Sequence, residues 1–381
     1  MLFTEEHQAF RKMVRDVVEN EIQPYVDDWE REGAFPAHEL FPKLGELGLL
    51  GLEYDPAYGG QGADHLFTVV ACEEFARVNA GGIPMAIGVQ TNMATPSLAE
   101  FGSHELKERY LAPAIAGTHV TSIAVTEADA GSDVAGLRTR AVRDGDEWVI
   151  NGSKLYITNG TQADWVCLLA RTSDEGGYRG MSQMIVETAT PGFMVSRKLD
   201  KLGNRSSDTA ELVFSDVRVP VSNTIGQIGR GFQQQMSQFV VERMFAAYGT
   251  PTSVRKALFR TRDYLRQREA FGKPLLNNQY LGFRLAELAA EADLLEQYNY
   301  ACARAYMAGE DTTRFATVAK LTSGRLLRSV ADLCMQFHGG IGYMEETWTS
   351  RFFRDSRLAS IGGGADEVML QVLGRMDGFL L

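Results

Sequence analysis

The chain has 381 residues, 45% hydrophobic and 23% charged, ordinary globular values that accommodate two or three domains and exclude a disordered or fibrous protein. Lys and Arg number 38 against 49 Asp and Glu, a formal net charge of −11, so no surplus of cations exists for phosphate contacts, which argues against nucleic acid as the main partner while leaving room for local basic sites. Cys72, Cys167, Cys302 and Cys334 lie far apart with no CxxC spacing and no His cluster, so reduced core thiols are expected, with neither a disulfide framework nor a metal site.

The first stretch, "MLFTEEHQAFRKMVRDVVENEI", is acidic, lacks a long apolar run and reads as an amphipathic helix capped by Thr4 ahead of Glu5 and Glu6. Neither a signal peptide nor a membrane span is read there, and a cytoplasmic protein is expected. Helix-like stretches such as "LFTVVACEEFARVNAG" alternate with Gly and Pro breaks as far as Gly117. Around Thr118 the texture changes to short runs rich in Val, Ile, Thr and aromatics: "TSIAVTE", "EWVINGSKLYITNG", "DWVCLLARTS", "MSQMIVETA" and "TAELVFSDVRVP". Asn151-Gly152 predicts a hairpin turn between two of them.

After Gly229-Arg230-Gly231 the pattern is helical to the end, and Leu281, Leu285, Leu288, Ala292, Leu295 and Cys302 recur at the spacing of a helix packed along its length. The fold expected is mostly α with a central β domain: an N-terminal helical domain (1–117), a middle β-barrel-like domain (118–228) and a C-terminal four-helix bundle (229–381).

Four short segments carry polar chemistry. "AVTEADAGSDVAG" (124–136) follows a strand-like run and sets Thr126, Glu127, Ser132 and Asp133 among small residues; alone it reads equally as a ligand loop or an ordinary turn. "QFHGGIGYMEETWTSRFFRD" (336–355) ends one helix with a Gly pair and is read to open another at Glu345 and Glu346; the glycines serve either close ligand approach or a C-cap. "SIGGGADEVML" (360–370) sets three glycines before Asp366 and Glu367, acids placed to meet a helix dipole. In "FVVERMFAA" (239–247), Glu242 sits among Val240, Val241, Met244, Phe245 and Ala246, a setting that desolvates a carboxylate and raises its pKa toward that of a useful base. Adjacent helical positions point about 100° apart, so Glu242 and Arg243 need separate partners. The alternative is a Glu paired across the bundle with some other basic residue.

The first two segments match, position for position, signatures of acyl-CoA dehydrogenases. The chain resembles that family over nearly its whole length, including "LYITNG", "RQREAFGKPL" followed by "NNQ", and "KLGNRSSDTAELVFSDVRVP". "GGIPMAIGVQTNMATPSLAEFGS" and "SIGGGADEVM" most resemble the citronellyl-CoA, long-chain and isovaleryl-CoA types. The resemblance implies a flavoprotein of fatty acid β-oxidation type: FAD accepts two hydrogens from the α and β carbons of an acyl-CoA thioester, leaving the trans-2-enoyl-CoA, and electrons pass to electron-transferring flavoprotein. Flavin monooxygenases, nitroalkane oxidases and a non-catalytic flavin-binding subunit share the architecture and remain alternatives at this point.

Carried over by position, the resemblance implies that Ile123, Val125 and Thr126 meet the flavin pyrimidine, and that Tyr156, Ile157 and Thr158 lie beside the isoalloxazine. Many relatives have Trp at Tyr156. Arg268, Phe271 and Gln279 match residues that reach the FAD of a neighbouring subunit, and Gln336, Gly339 and Gly340 match the loop completing it, so a homo-oligomer, expected as a tetramer, is implied. Ser132 and Arg243 match CoA contacts, although Arg243 serves equally to brace the bundle. Members that carry their base in the last loop have Glu where this chain has Gly363; isovaleryl- and long-chain-type members carry it at the position of Glu242. Gly363 is then expected to offer its N–H to the thioester oxygen, with Gly364 against the substrate and room for a branched or medium-to-long acyl chain. Ala365 replaces a usual Thr that contacts FAD, and Glu367 aligns with an adenosine contact.

Overall fold

Thr4 caps the first helix, α1 (Glu5–Val17), reciprocally: the His7 N–H donates to the Thr4 hydroxyl at 3.5 Å and the Thr4 N–H donates to His7 Nδ1 at 3.1 Å. The structure, a computed structural model, describes residues 2–380. Seven further helices follow: α2 (Val26–Glu32), α3 (Ala37–Glu46), α4 (His65–Phe75), α5 (Gly82–Gly88), α6 (Pro96–Phe101), α7 (His104–Leu106) and α8 (Ala112–Ile115). Val14, Ile22, Phe41, Leu44, Phe75 and Ile83 close a core between them. At its rim, Glu74 of α4, itself buried, takes Arg11 at 3.0 Å and Arg15 at 2.9 Å from α1, so the charge is paired where it leaves water.

The next 105 or so residues, on the order of one small domain, supply the sheet. Its strands are β1 (Thr121–Ala124), β2 (Arg140–Asp144), β3 (Glu147–Thr158), β4 (Trp165–Arg171), β5 (Met181–Glu187), β6 (Phe193–Lys198), β7 (Thr209–Pro220) and β8 (Thr224–Ile225), ordered β6-β7-β3-β2-β4-β5-β8 with β1 parallel to β4. Strand β4 explains how the sheet sits in the molecule. Trp165 and Cys167 face Leu98, Tyr110 and Ile115 of the helices. Val166, Leu168 and Ala170 face Trp148, Ile150 and Phe214 within the sheet domain, so the strand is apolar on both faces.

Two expectations are corrected here. The sheet does not close into the barrel-like form: among the described residues β6 pairs only with β7, and beyond partly buried Phe193 it is exposed, ending in Ser196, Arg197 and Lys198, an edge blunted by polar side chains. The hairpin turn lies at Gly145-Asp146, between paired Asp144 and Glu147, with Gly145 at φ +62°. Asn151-Gly152 instead lies inside β3, where the register against β7 shifts. A Cβ on Gly152 would stand 2.6 Å from Thr139 Oγ1, so this glycine serves close strand approach at a bulge rather than chain reversal.

Six helices complete the chain: α9 (Gly231–Tyr248), α10 (Thr250–Gln267), α11 (Gln279–Met307), α12 (Thr313–His338), α13 (Trp348–Ser356) and α14 (Asp366–Met376). The stripe read on α11 is the buried one: Leu285, Leu288, Ala292, Leu295 and Cys302 are buried, and Leu281 packs at its edge. Helix α12 ends at His338 before Gly339 at φ +64°, as the Gly pair suggested. Glu345 and Glu346, in contrast, precede the next helix, which opens at Trp348 after Thr347; Glu345 binds Arg354 at 2.7 Å instead. All four cysteines are buried and free. Among the described residues no helix is long and apolar enough to cross a membrane.

Candidate active site

Helix α9 joins the sheet to both helical regions. Its first half packs Phe232 and Phe239 against Val125, Ala130 and Leu137, the loop that carries "AVTEADAGSDVAG". Gln235 accepts from Gln183 of β5 at 2.9 Å, and Gln238 accepts from the Ser97 hydroxyl at 2.5 Å while donating to the Met93 carbonyl. Its last turns set Met244 and Tyr248 among Leu66, Val69, Cys72 and Ala303. These contacts lie on both sides of Glu242 and hold its backbone rigidly.

Glu242 is partly buried, and its surroundings push its pKa up to about 7: desolvation is the main cause, opposed by the charges of Arg243 and Lys320. No ion-pair partner lies within 4 Å of it among the described residues, so the cation across the bundle, Lys320, acts on it without a direct salt bridge. Arg243 is buried, its Nε lacks a hydrogen-bond partner, and burial lowers its pKa against the pull of Glu242. Two neighbouring charges without direct partners are expensive in a merely structural helix and typical of a working site.

The glycine turn closes on this carboxylate. Gly363 and Gly364 have φ +64° and +95°, a conformation that L side chains adopt poorly. A Cβ on Gly363 would stand 3.3 Å from Glu242 Oε1 and 3.9 Å from Lys320 Cε; one on Gly364 would meet Met369 Cε at 2.6 Å. Lys320 of α12 is 2% exposed and its Nζ donates to the Gly364 carbonyl. Nothing in the sequence reading singled out this lysine. The available signal was its helical face, where Ala316, Thr317, Ser323 and Gly324, at spacings of three and four, are all small and all buried. Ala365 stands at the N-cap of α14 without a capping side chain; Asp366 is buried with Arg328 at 3.3 Å, and Glu367 is exposed in the first turn.

A second group forms at the sheet. Tyr156 sits in a β3 bulge, between Lys154 and Ile157, with φ +64° and its ring 66% exposed. A bulky residue held left-handed is an uncommon and strained backbone position. Beneath it, the wholly buried Lys154 amine donates to Glu127 Oε1 and to the Val125 carbonyl, each at 2.8 Å, while Glu127 also accepts from the N–H groups of Arg138 and Thr139. The Leu155 N–H donates to the Thr126 carbonyl at 2.8 Å, and Ser122 Oγ donates to the Thr158 carbonyl at 2.6 Å. Val125 and Thr126 are thereby fixed beside Tyr156 and Thr158; Ile157 points into the core, Ile123 is partly buried and Ser132 is exposed in the adjoining loop. An exposed ring flanked by two partly exposed threonines fits a flat polar ring system such as a flavin.

The remaining candidates form a third group at one end of the bundle, where Tyr264 stacks on His338 at 4.2 Å and Tyr280 meets Phe337 edge-on. Arg268, Phe271, Gln279, Gln336, Gly339 and Gly340 are all exposed there. Phe271 and Gly272, with φ +54° and +78°, turn a small hairpin in which Ala270 pairs with Lys273.

The comparisons with known proteins agree with this architecture throughout. Residues 4–118, 122–217 and 229–376 match the models "Acyl-CoA dehydrogenase, N-terminal domain", "middle domain" and "C-terminal domain". The rat mitochondrial long-chain specific acyl-CoA dehydrogenase is 36% identical over 98% of this chain and 87% of its own length. The potato mitochondrial isovaleryl-CoA dehydrogenase is 34% identical over 98% of this chain and 91% of its own. The crystal structure of an acyl-CoA dehydrogenase from Geobacillus kaustophilus superposes with a TM-score of 0.95 at 38% identity, covering 98% of each chain. With all three domains matched and the likeness running end to end, the chain belongs to the acyl-CoA dehydrogenase family of flavoprotein oxidoreductases.

Proposed function

We propose that the chain carries out FAD-dependent α,β-dehydrogenation of an acyl-CoA thioester to the trans-2-enoyl-CoA, with Glu242 taking the α-proton. The observation that carries this reading is a desolvated carboxylate, its pKa near 7, held on a rigid helix against a two-glycine turn. A general base works best when its pKa lies near the operating pH, and Glu242 meets that condition without a salt bridge to break first. The Gly363 N–H is engaged by no backbone carbonyl among the described residues, which leaves it available to the thioester oxygen as enolate charge develops. Gly364 lies against the substrate. Bound FAD would supply the two-electron acceptor for the β-hydrogen.

The flavin ring is held by Ile123, Val125, Thr126, Tyr156 and Thr158, with Ile157 offering its backbone while its side chain anchors the strand in the core. Ser132 and Arg243 contact the CoA portion. Arg268, Phe271, Gln279, Gln336, Gly339 and Gly340, with Ala365 and Glu367 at the start of α14, serve the nucleotide end of an FAD shared between subunits of a homo-oligomer, read as a tetramer. The fully exposed Phe271 ring, presented on a residue held at φ +54°, is available to a neighbouring subunit. Electron-transferring flavoprotein is the proposed acceptor and the cytoplasm the proposed compartment, in keeping with four free thiols. The substrate proposed is branched or of medium-to-long chain.

Anaerobic bleaching of the bound flavin by a panel of straight and branched acyl-CoAs tests the reading. Wild type bleaches; Glu242→Gln retains its yellow colour and bleaches slower by about 10²–10⁴-fold, the range for removing a positioned base. A variant that bleaches as fast as wild type would overturn Glu242 as the base, and a wild type inert to every thioester would overturn the reaction.

A further inference from the structure

Lys320 is a buried cation that the proton-transfer chemistry does not call for. It is 2% exposed, no carboxylate lies within 4 Å of its amine among the described residues, and its direct partner is the Gly364 carbonyl. A lone ammonium in such a place is costly, because a single neutral carbonyl replaces little of its hydration. What surrounds it is the active site. Its Cε would stand 3.9 Å from a Cβ on Gly363, and that same Cβ position is 3.3 Å from Glu242 Oε1, so the lysine stem, the glycine turn and the carboxylate meet around one point.

We propose that Lys320 is a positioning residue for the proton-abstracting step: its ammonium pins the Gly364 carbonyl, which fixes the turn against Glu242, and adds counter-charge that keeps Glu242 ionised at neutral pH. The proposal rests on Glu242 being the base. The charged groups that face this pair come from three elements: Arg243 on α9, Lys320 on α12, and Asp366 and Glu367 at the start of α14. Asp366, engaged by Arg328 at 3.3 Å, is the carboxylate that supports the charge of Lys320 most, with Glu242 next and exposed Glu367 after it. Arg243, adjacent on α9, is the larger counter-charge on Glu242, and Lys320 adds to it. Lys320 is the cation that approaches the carboxylate from the facing wall.

Burial lowers the Lys320 pKa to about 8 and desolvation raises that of Glu242 to about 7, so at neutral pH each charge supports the other. The sign of the effect follows. A nearby cation favours the carboxylate, so removing it raises the Glu242 pKa further, and the acid limb of kcat/KM, which reports the ionised base of the free enzyme, moves to higher pH. A contact that served folding alone would leave that limb in place.

The test compares the pH dependence of flavin bleaching in wild type, Lys320→Gln, which keeps a hydrogen-bond donor without the charge, and Lys320→Arg, which keeps the charge. Lys320→Gln is expected to shift the acid limb upward by about one pH unit or more, and Lys320→Arg to restore it. Should Lys320→Gln turn over too poorly to profile, infrared titration of the Glu242 carboxyl band, taken as wild type minus Glu242→Gln and repeated in the Lys320→Gln background, reads the same shift without turnover. An acid limb and a carboxyl band that stay put in Lys320→Gln, while Glu242→Gln abolishes bleaching, would overturn the proposal and leave Glu242 as the base. Undiminished bleaching by Glu242→Gln would overturn both.

Discussion

A Cβ placed on Gly363 would lie 3.3 Å from the Oε1 atom of Glu242, although 121 positions separate the two residues in the chain (363 − 242). The two positions look into the same small volume. A carboxylate at Gly363 would therefore crowd the one already present, and two acids in one site cannot both ionise at neutral pH. Gly363→Glu is expected to lower activity on all thioesters and to lose branched substrates first, because the new side chain fills the space the glycine leaves. The ratio of kcat/KM for a branched and a straight acyl-CoA measures this; a ratio unchanged from wild type would count against Gly363 as the residue that makes room.

Glu242 should also weaken the fold that holds it. Its folded-state pKa, about 7, is raised from the ordinary 4.5, opposite to the usual salt-bridged carboxylate. Below pH 4.5 the group is protonated whether folded or unfolded and has no effect. Between pH 4.5 and 7 the unfolded chain releases the proton while the folded one retains it, so stability falls as pH rises, and the loss is complete above 7. Glu242→Gln is expected to be more stable than wild type at about pH 8 by up to ~3 kcal/mol, with the two converging near pH 4.5. Thermal melts of the holoenzyme across that range read the difference directly.

Much of this site was legible in the sequence because its signals were local. Apolar neighbours marked Glu242 as desolvated, the triple glycine marked a backbone that must come close to something, and the helical-period stripe marked the packed face of α11. What escaped was set by tertiary contact. Gly152 met Thr139 across a strand and became a bulge, while Gly145, with open space around it, made the turn. Lys320 escaped because a lysine ordinarily reads as surface; only the small buried residues one turn to either side place it inside. The barrel-like expectation for the middle domain failed because strand propensity says nothing about whether the outermost strand, here β6, finds a second neighbour.

The bulge at Tyr156 depends on a buried ion pair. Lys154 is wholly buried and its amine bridges Glu127 and the Val125 carbonyl, which ties the 125–139 loop to β3. Lys154→Met leaves a buried carboxylate with only the N–H groups of Arg138 and Thr139, and is expected to cost about 3–5 kcal/mol. Lys154→Met combined with Glu127→Gln should cost less than Lys154→Met alone, since the amide keeps an acceptor for those N–H groups without the orphaned charge. Guanidinium unfolding checks the order, and the flavin-to-protein ratio should fall in parallel, because the loop and Tyr156 lose their register together. A single variant as stable as wild type would mean that Glu127 finds another cation.

Phe271 tests the assembly. Its ring is as exposed as a side chain can be, at the tip of a hairpin whose backbone is held with φ +54° at Phe271 itself, so the fold spends conformational strain to present an apolar ring to solvent. Covering the ring would remove apolar surface from water. Arg268 beside it, and Gln336 and Gly339 at the end of α12, are exposed as well, and the proposed assembly assigns them to the nucleotide end of the cofactor. Phe271→Asp is therefore expected to do two things at once: to shift the sedimentation profile toward smaller species and to lower flavin content, while leaving the melting of the α9–α12 core unchanged. Loss of flavin from an intact oligomer would make Phe271 a cofactor contact within one subunit; dissociation with full flavin retention would mean that each subunit binds FAD unaided.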